Sequence, residues 1–491
     1  MGTHMNADRV LWCMFCVVAA AGRAAGGEVP DGWKLLGRIA PRHAREIKAS
    51  NWSVGAETMD RDYAVYRHWR KHLGPLGVKK ARIQSGWAKT ERAKGVYDWA
   101  WLDEIIPDMA SQGVEPWVCL CYGNPIYPGG GGTGLGGGLP TSDEARAAWG
   151  RYVAAFVDRY KRYVDEWEVW NEANLRKKSV TAQYADLLVR TAEIIRARQP
   201  NAKIVAMATP GVGTGFTRSV LTILQQRDKL DLVDEVTYHP YSLNPDDSYR
   251  AVAGLRKMVR SFSGGIGIRQ GENGAPSKRG SFGALSGYDW TERLQAKWAL
   301  RRLLGDLGRD IPSSYFAICD MAYRVRSGGG DSDTRDDPKK TKLRVNYKGL
   351  LAIHPDKTVH HVKVGYRAVQ HVTAVFDESL KRIADYPWKS DPTFQRISLF
   401  AYTKADGRQV VTVWLSGKPP LADYPTKKAT FTLANGRFDE PVYVDLLSGK
   451  VWAIPAESRS RAGSAQTFRG VPVRDWPILI ADRRAVGRIA P

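Results

Sequence analysis

From about Asn51 the chain alternates short apolar runs rich in Val, Ile and Trp with stretches whose apolar positions recur every three to four residues. That alternation predicts strands, each followed by a helix packed on the sheet. The strand-like runs are Trp52–Ala56, Val78–Trp87, Pro116–Tyr122, Glu166–Asn174, Lys203–Ala208, Glu235–Tyr241, Ile266–Glu272 and Ser314–Asp320. Helical patterns follow at Arg61–Leu73, Trp101–Ser111, Thr141–Tyr163 (with Thr141 as cap), Thr181–Gln199, Phe216–Gln226, Ser248–Ser261 and Trp290–Leu307, and a last one spans Val359–Val375. Eight such repeats over roughly 325 residues predict a (β/α)8 barrel. A doubly wound open sheet would want a Gly-rich phosphate loop after an early strand, and none is there.

Beyond Phe376 the period changes to short alternating strands between turn residues, at Ser398–Tyr402, Val410–Leu415, Ala429–Leu433, Val442–Asp445 and Pro477–Ala481, which predicts a small antiparallel β-sandwich. The expected organisation is therefore a leader over residues 1–27, an N-terminal segment over 28–50 that is a candidate extra strand for the sandwich, a barrel over 51–376 and the sandwich over 377–491. The pentapeptide Gly-Arg-Ile-Ala-Pro occurs at Gly37 and again at Gly487, and the pattern alone gives it no meaning.

Two glycine-rich loops interrupt the barrel pattern. Pro128–Pro140 carries eight glycines, and Ser327–Lys342 is rich in Gly, Asp and Lys. Both follow strands at the face where barrel enzymes keep their chemistry, so each reads either as a lid or as a surface insertion.

The first residues, Met1-Gly2-Thr3-His4, read as a cloning remnant. Arg9, the apolar run Val10–Ala21 and the small residues to Gly27 read as a secretory signal, too short to span a bilayer. The protein is accordingly expected to be secreted or periplasmic, with no membrane partner. Cys13 and Cys16 fall in that leader. Cys119, Cys121 and Cys319 lie on strands, with no disulfide framework and no metal-ligand spacing, so neither metal nor cofactor is expected.

Net charge is +22, spread along the chain. It favours anionic partners. No helix-turn-helix, zinc-finger or RNA-binding signature accompanies it, so nucleic acid is not the expected partner. An acidic or sulfated polysaccharide and plain solubility fit the charge equally. The 17 Trp and 21 Tyr exceed what a core requires, and sugar sites use such rings as platforms.

The candidate chemistry lies on two strands. Glu166-Trp167-Glu168-Val169-Trp170-Asn171-Glu172 is an apolar strand with three carboxylates, which are costly to desolvate without partners or a task. Period-2 alternation puts Glu168, Trp170 and Glu172 on one side and Asn171 on the other, unless a bulge intervenes. The second strand, Gly265–Gly274, ends in the lone carboxylate of Glu272. Two carboxylates at the C-terminal ends of two barrel strands are the raw material of glycoside hydrolysis, Glu172 as acid and Glu272 as nucleophile or base according to their separation. Arg82 and Tyr241 are the candidates for keeping Glu272 ionised, with an ion pair between Arg82 and Glu168 as the plainer alternative for that arginine. Trp170 or Tyr122 could wall Glu172. His239 has no second ligand nearby and reads as a hydrogen-bonding residue.

Trp170-Asn171-Glu172 on the fourth strand with Glu272 on the seventh resembles clan A of the glycoside hydrolases. Arg82–Trp87, Tyr122-Gly123-Asn124-Pro125, Tyr238-His239-Pro240-Tyr241 and Gly271–Pro276 make the likeness closer to the branch around family 39, a barrel joined to a β-sandwich. The resemblance implies a retaining glycosidase with Glu172 as acid/base and Glu272 as nucleophile. Asn171, Arg82, Trp87, Tyr122, Asn124, His239 and Tyr241 are then the supporting or sugar-binding residues. Many clan members carry a Trp at the end of the eighth strand. This chain has Ile318-Cys319-Asp320-Met321-Ala322-Tyr323 instead, which leaves Asp320 or Tyr323 to meet the sugar. A carbohydrate-binding barrel without catalysis is the alternative reading.

Overall fold

The computed structural model describes residues 29–175, 180–326 and 341–491. The leader with Cys13 and Cys16, and the loop residues 327–340, lie outside them. After β1 (Leu35–Ile39), eight strands close into a barrel: β2 (Trp52–Gly55), β3 (Lys80–Gln84), β4 (Glu115–Leu120), β5 (Glu166–Val169), β6 (Lys203–Pro210), β7 (Glu235–His239), β8 (Gly267–Asn273) and β9 (Ser313–Tyr315). Neighbours run parallel all the way round, and β9 returns to β2 through Trp52↔Ser313 and Val54↔Tyr315. This is the predicted (β/α)8 architecture. Because all strands are parallel, their C-terminal ends meet at one mouth.

Helices cover the barrel as the period of apolar residues demands. The helix Asp143–Tyr160 buries Trp149, Tyr152, Val153 and Phe156. Its cap is Ser142, whose hydroxyl accepts the Ala145 N–H at 3.1 Å, while the predicted cap Thr141 turns its hydroxyl to the Gly129 carbonyl. The predicted helix Arg61–Leu73 breaks into short turns at Met59–Arg61, Tyr66–Trp69 and Arg70–His72, because Thr58 and Asp62 adopt left-handed backbone, φ 69° and 57°. The eighth strand is shorter than its apolar run. It ends at Tyr315, five residues before the predicted Asp320, and a hairpin follows, Met321–Arg326 against Thr341–Asn346. The last helix starts at Val364, since Val359–Val362 pairs with Leu351–Ile353 first.

Seven C-terminal strands together with β1 form an eight-stranded antiparallel sheet, and four others form a second sheet, packed over Val411, Phe431, Tyr443, Phe468 and Ile480. β1 joins the larger sheet between Lys450–Ala453 and Ile489–Ala490. Its pairing with the latter, Arg38↔Ala490 and Ile39↔Ile489, sets the two copies of the repeated pentapeptide side by side. The sandwich braces the barrel through buried cations of the helix Glu292–Leu307: Lys297 donates to Asp475 at 2.9 Å and Arg301 to the Lys418 carbonyl at 2.8 Å. No helix among the described residues is long and apolar enough to cross a membrane.

Candidate active site

The three carboxylates of the Trp-rich strand separate by depth. Glu166, at the floor of the barrel, meets Arg269 (2.6 Å) and Lys80 (2.5 Å), cations that outweigh its burial and hold its pKa down at about 2. Glu168, one layer up and wholly buried, accepts from Arg82 Nε at 2.6 Å and from the Thr237 hydroxyl at 2.5 Å. Both are structural. Only Glu172 reaches the mouth.

It arrives there by a break in the strand. β5 ends at Val169, and Trp170 and Glu172 take left-handed φ of 66° and 48°, conformations that side chains rarely adopt and that cluster at functional sites. The simple alternation predicted from sequence therefore fails, and Asn171 and Glu172 both turn towards the barrel axis. Asn171 accepts from Arg82 Nη2 at 2.9 Å and donates to the Tyr122 hydroxyl at 2.7 Å. Glu172 Oε1 lies 2.8 Å from His239 Nδ1.

Across the mouth, each oxygen of Glu272 has one donor: Tyr241 hydroxyl to Oε1 at 2.8 Å, Arg82 Nη1 to Oε2 at 3.1 Å. His239 Nδ1 is also 3.7 Å from Glu272 Oε2. Since 2.8 Å and 3.7 Å share one nitrogen, the two carboxylate oxygens can be no farther apart than the sum, about 6.5 Å. Both side chains keep an opening to solvent, at 10% and 13% exposure. Two carboxylates facing one nitrogen place the ring proton on Nδ1. Burial alone would lower the His239 pKa, but Glu272 and Glu172 outweigh it and the pKa rises.

Arg82 is the hub of this constellation. It is wholly buried and serves Glu168, Glu57, Glu272 and Asn171 at once, so the ion pair with Glu168 and the contact with Glu272 coexist. Glu57 escaped the reading of the sequence. It stands two residues beyond β2, at a strand end like the other two carboxylates, and that position is the signal that could have found it. Its Oε1 accepts from the same Arg82 Nη1 at 2.9 Å. Burial pushes its pKa up to about 7; Arg82 opposes the rise and Glu272 adds to it. Lys348 was also missed, for it follows a long loop with no pattern around it. Buried beside Tyr241, its ammonium has a 3.5 Å contact with Asn346 Oδ1, and burial lowers its pKa to about 7 against the pull of Glu272.

Glu57 gives a pH signature. The folded protein holds its proton up to about pH 7, whereas the unfolded chain releases it near 4.5. Between those values the folded state binds more protons, so this contribution to stability is complete below the lower value and is lost as pH rises. Glu57→Gln is expected to gain stability over the wild type progressively from pH 4.5 to 7 and then level off, with a full span on the order of 3 kcal/mol. Denaturation of both proteins at a series of pH values measures that gap; a gap independent of pH would mean that folding leaves the Glu57 pKa unshifted.

Several predicted sugar contacts are placed elsewhere. Trp87 is fully buried, stacked on Tyr127 and Tyr152, with its indole N–H on Glu91, so it has no face to offer. Asn124 is equally buried and donates to the Glu91 carbonyl at 2.8 Å. Both anchor the root of the glycine loop. Asp320, 3% exposed, spends Oδ1 on Lys363 (2.6 Å) and the Gly349 N–H (3.0 Å). Tyr323, half-buried on the hairpin above, packs its ring on Tyr63 and Phe282 at the rim. Tyr122 supports Asn171 and is not the wall of Glu172; Trp170 lines the space beside that carboxyl. Cys119, Cys121 and Cys319 are free buried thiols. Among the described residues no group of three or more His, Cys, Asp or Glu side chains is arranged to hold a metal ion.

No protein-family model matches the chain, and no curated protein matches it in sequence. Solved structures do match in shape. A family 39 glycoside hydrolase from Bacteroides cellulosilyticus WH2 superposes with a TM-score of 0.60 at 17% identity, over 88% of this chain and 81% of that one. A monomeric β-xylosidase from Caulobacter crescentus CB15 gives 0.55 at 17% identity, over 90% and 97%. A family 30 subfamily 8 xylanase from Clostridium acetobutylicum gives 0.55 at 13% identity, over 91% and 97%. At such identities the likeness is one of fold, and the fold of this chain is that of these glycoside hydrolases.

Proposed function

We propose that the chain is a retaining glycoside hydrolase that cleaves β-glycosidic bonds by double displacement. The observation that carries this reading is the contact of Glu172 Oε1 and Glu272 Oε2 with the same His239 nitrogen, which keeps these two oxygens within about 6.5 Å of each other, a bound that accommodates the roughly 5–5.5 Å spacing of a retaining pair. Glu272, held between the Arg82 guanidinium and the Tyr241 hydroxyl, attacks the anomeric carbon as Glu172 protonates the departing oxygen. A glycosyl ester on Glu272 results. Glu172, now ionised, takes a proton from water, whose oxygen displaces Glu272 from the sugar.

The substrate class is a β-linked oligo- or polysaccharide. Structural likeness to a β-xylosidase makes β-xylosides the first glycon to try. A glycon bearing a carboxylate or sulfate is the second reading. It is favoured by the buried Lys348 amine, which lies 5.7 Å from the ring centre of Tyr241, the residue that donates to Glu272, and by the +22 charge. The basic and apolar leader supports action outside the cytoplasm.

The test is turnover of nitrophenyl β-xyloside, β-glucoside and β-glucuronide, with proton NMR of the first-formed sugar. Release of the β-anomer is the expected result. First release of the α-anomer, or no turnover across a panel extended to natural polysaccharides, would overturn the proposal.

A further inference from the structure

Glu172 has two sides. One faces His239 and Glu272. The other opens on a cavity of about 220 Å³ whose walls include Trp170, Gln183, Thr141 and the backbone of Gly131, Gly137 and Gly138. Glu272 is not among its walls. We infer that this cavity seats the leaving group and selects a compact, hydroxylated one, a single sugar residue. The inference rests on the hydrolase reading above. Attack by Glu272 drives the leaving oxygen off the opposite face of the anomeric carbon, and the acid that protonates it must stand beside it. The leaving group therefore lies on the side of Glu172 away from the nucleophile, and that is where the cavity opens.

The glycine wall is a built surface. Its two arms are joined by Gly123 N–H to the Gly132 carbonyl (2.9 Å), Gly132 N–H to Gly137 (2.8 Å) and Thr141 N–H to Gly129 (2.8 Å). A Cβ on Gly131 would fall 2.3 Å from the Gly138 oxygen, and one on Gly137 would fall 2.7 Å from Gly132 Cα, so only glycine lets the arms approach this closely. The root is tied to Glu91 by Trp87, Asn124 and the Tyr127 hydroxyl. A wall of bare peptide groups offers N–H donors and carbonyl acceptors to hydroxyls. It offers no aromatic face beyond Trp170, itself nearly buried. The volume is below the roughly 300–1,000 Å³ of sites that take larger ligands. Backbone polarity and small size together fit one sugar ring better than an aryl group or an extended chain.

The test compares two substrates of the glycon that gives the highest turnover in the panel: the β-glycosyl fluoride, whose leaving group fills no subsite, and the matching β-linked disaccharide. Gln183 and Thr141 are exposed and line the cavity, so Gln183→Trp and Thr141→Trp can narrow it without touching the core. Each is expected to lower kcat/KM for the disaccharide about tenfold or more while that for the fluoride changes less than twofold. Equal losses on both substrates in both variants, or no loss on the disaccharide, would overturn the assignment while leaving the hydrolase reading intact. A wild-type protein inert towards both substrates would remove the hydrolase reading, and this one with it.

Discussion

Glu272→Gly is expected to lower kcat on the best nitrophenyl glycoside by roughly 10⁴-fold or more, the scale of losing a covalent nucleophile. Added azide is expected to restore much of that rate and to yield a glycosyl azide of inverted configuration. The geometry explains why azide should bind. Removing the side chain leaves the Tyr241 hydroxyl and Arg82 Nη1 pointing into the vacated space, two donors arranged around an anion that is gone. A small linear anion fits between them. Folding should survive, because Glu57 and Glu168 still balance Arg82. Glu172→Ala is the mirror experiment. Azide then enters from the leaving-group side after the ester has formed, and the product keeps the β-configuration. A folded Glu272→Gly protein that makes no azide adduct, with the β-azide missing from Glu172→Ala as well, would remove both residues from the reaction.

How much of this was legible beforehand depends on which physical signal each feature leaves. The barrel leaves a strong one, since its strands are largely buried on both sides and read as short runs rich in Val, Ile and Trp that alternate with helical periods. Its boundaries blur where apolar residues continue past the last ladder bond, as in Val78–Trp87, where the chain leaves β3 at Gln84 and Trp87 already begins a helical turn. Glu172 and Glu272 were legible because a carboxylate at the end of such a run is costly. The turn of Asn171 and Glu172 into one site was not, for it depends on left-handed backbone at Trp170 and Glu172, which no side-chain pattern announces. Trp87 and Asn124 misled for a related reason. Aromatic and amide groups after a strand suit a sugar as well as they suit a loop anchor, and only the position of Glu91 decides between the two. The repeated pentapeptide had no meaning along the chain because its partner is its own second copy, reached only after the sandwich has closed.

Arg82→Met should carry the largest cost in stability of any single change at the site. It leaves Glu168 fully buried with the Thr237 hydroxyl as its remaining donor, and Glu57 and Glu272 lose the cation they share. Breaking a buried pair by removing one partner typically costs about 3–5 kcal/mol, here a fall in Tm of roughly 3–7 °C for a chain of this size. That loss alone does not distinguish an arginine that only neutralises Glu168 from one that also positions the nucleophile. A second substitution does. Glu168→Gln in the Arg82→Met protein removes the orphaned charge, and the amide can still meet Thr237, so most of the stability should return. Activity should not. Glu272 remains without the donor to its Oε2, and the loss of one such preorganised donor is worth about 10²-fold in kcat. If the double variant regains activity along with its Tm, Arg82 serves the core alone; if Tm returns and turnover does not, the guanidinium that holds the barrel interior together is also what keeps Glu272 aimed at the sugar.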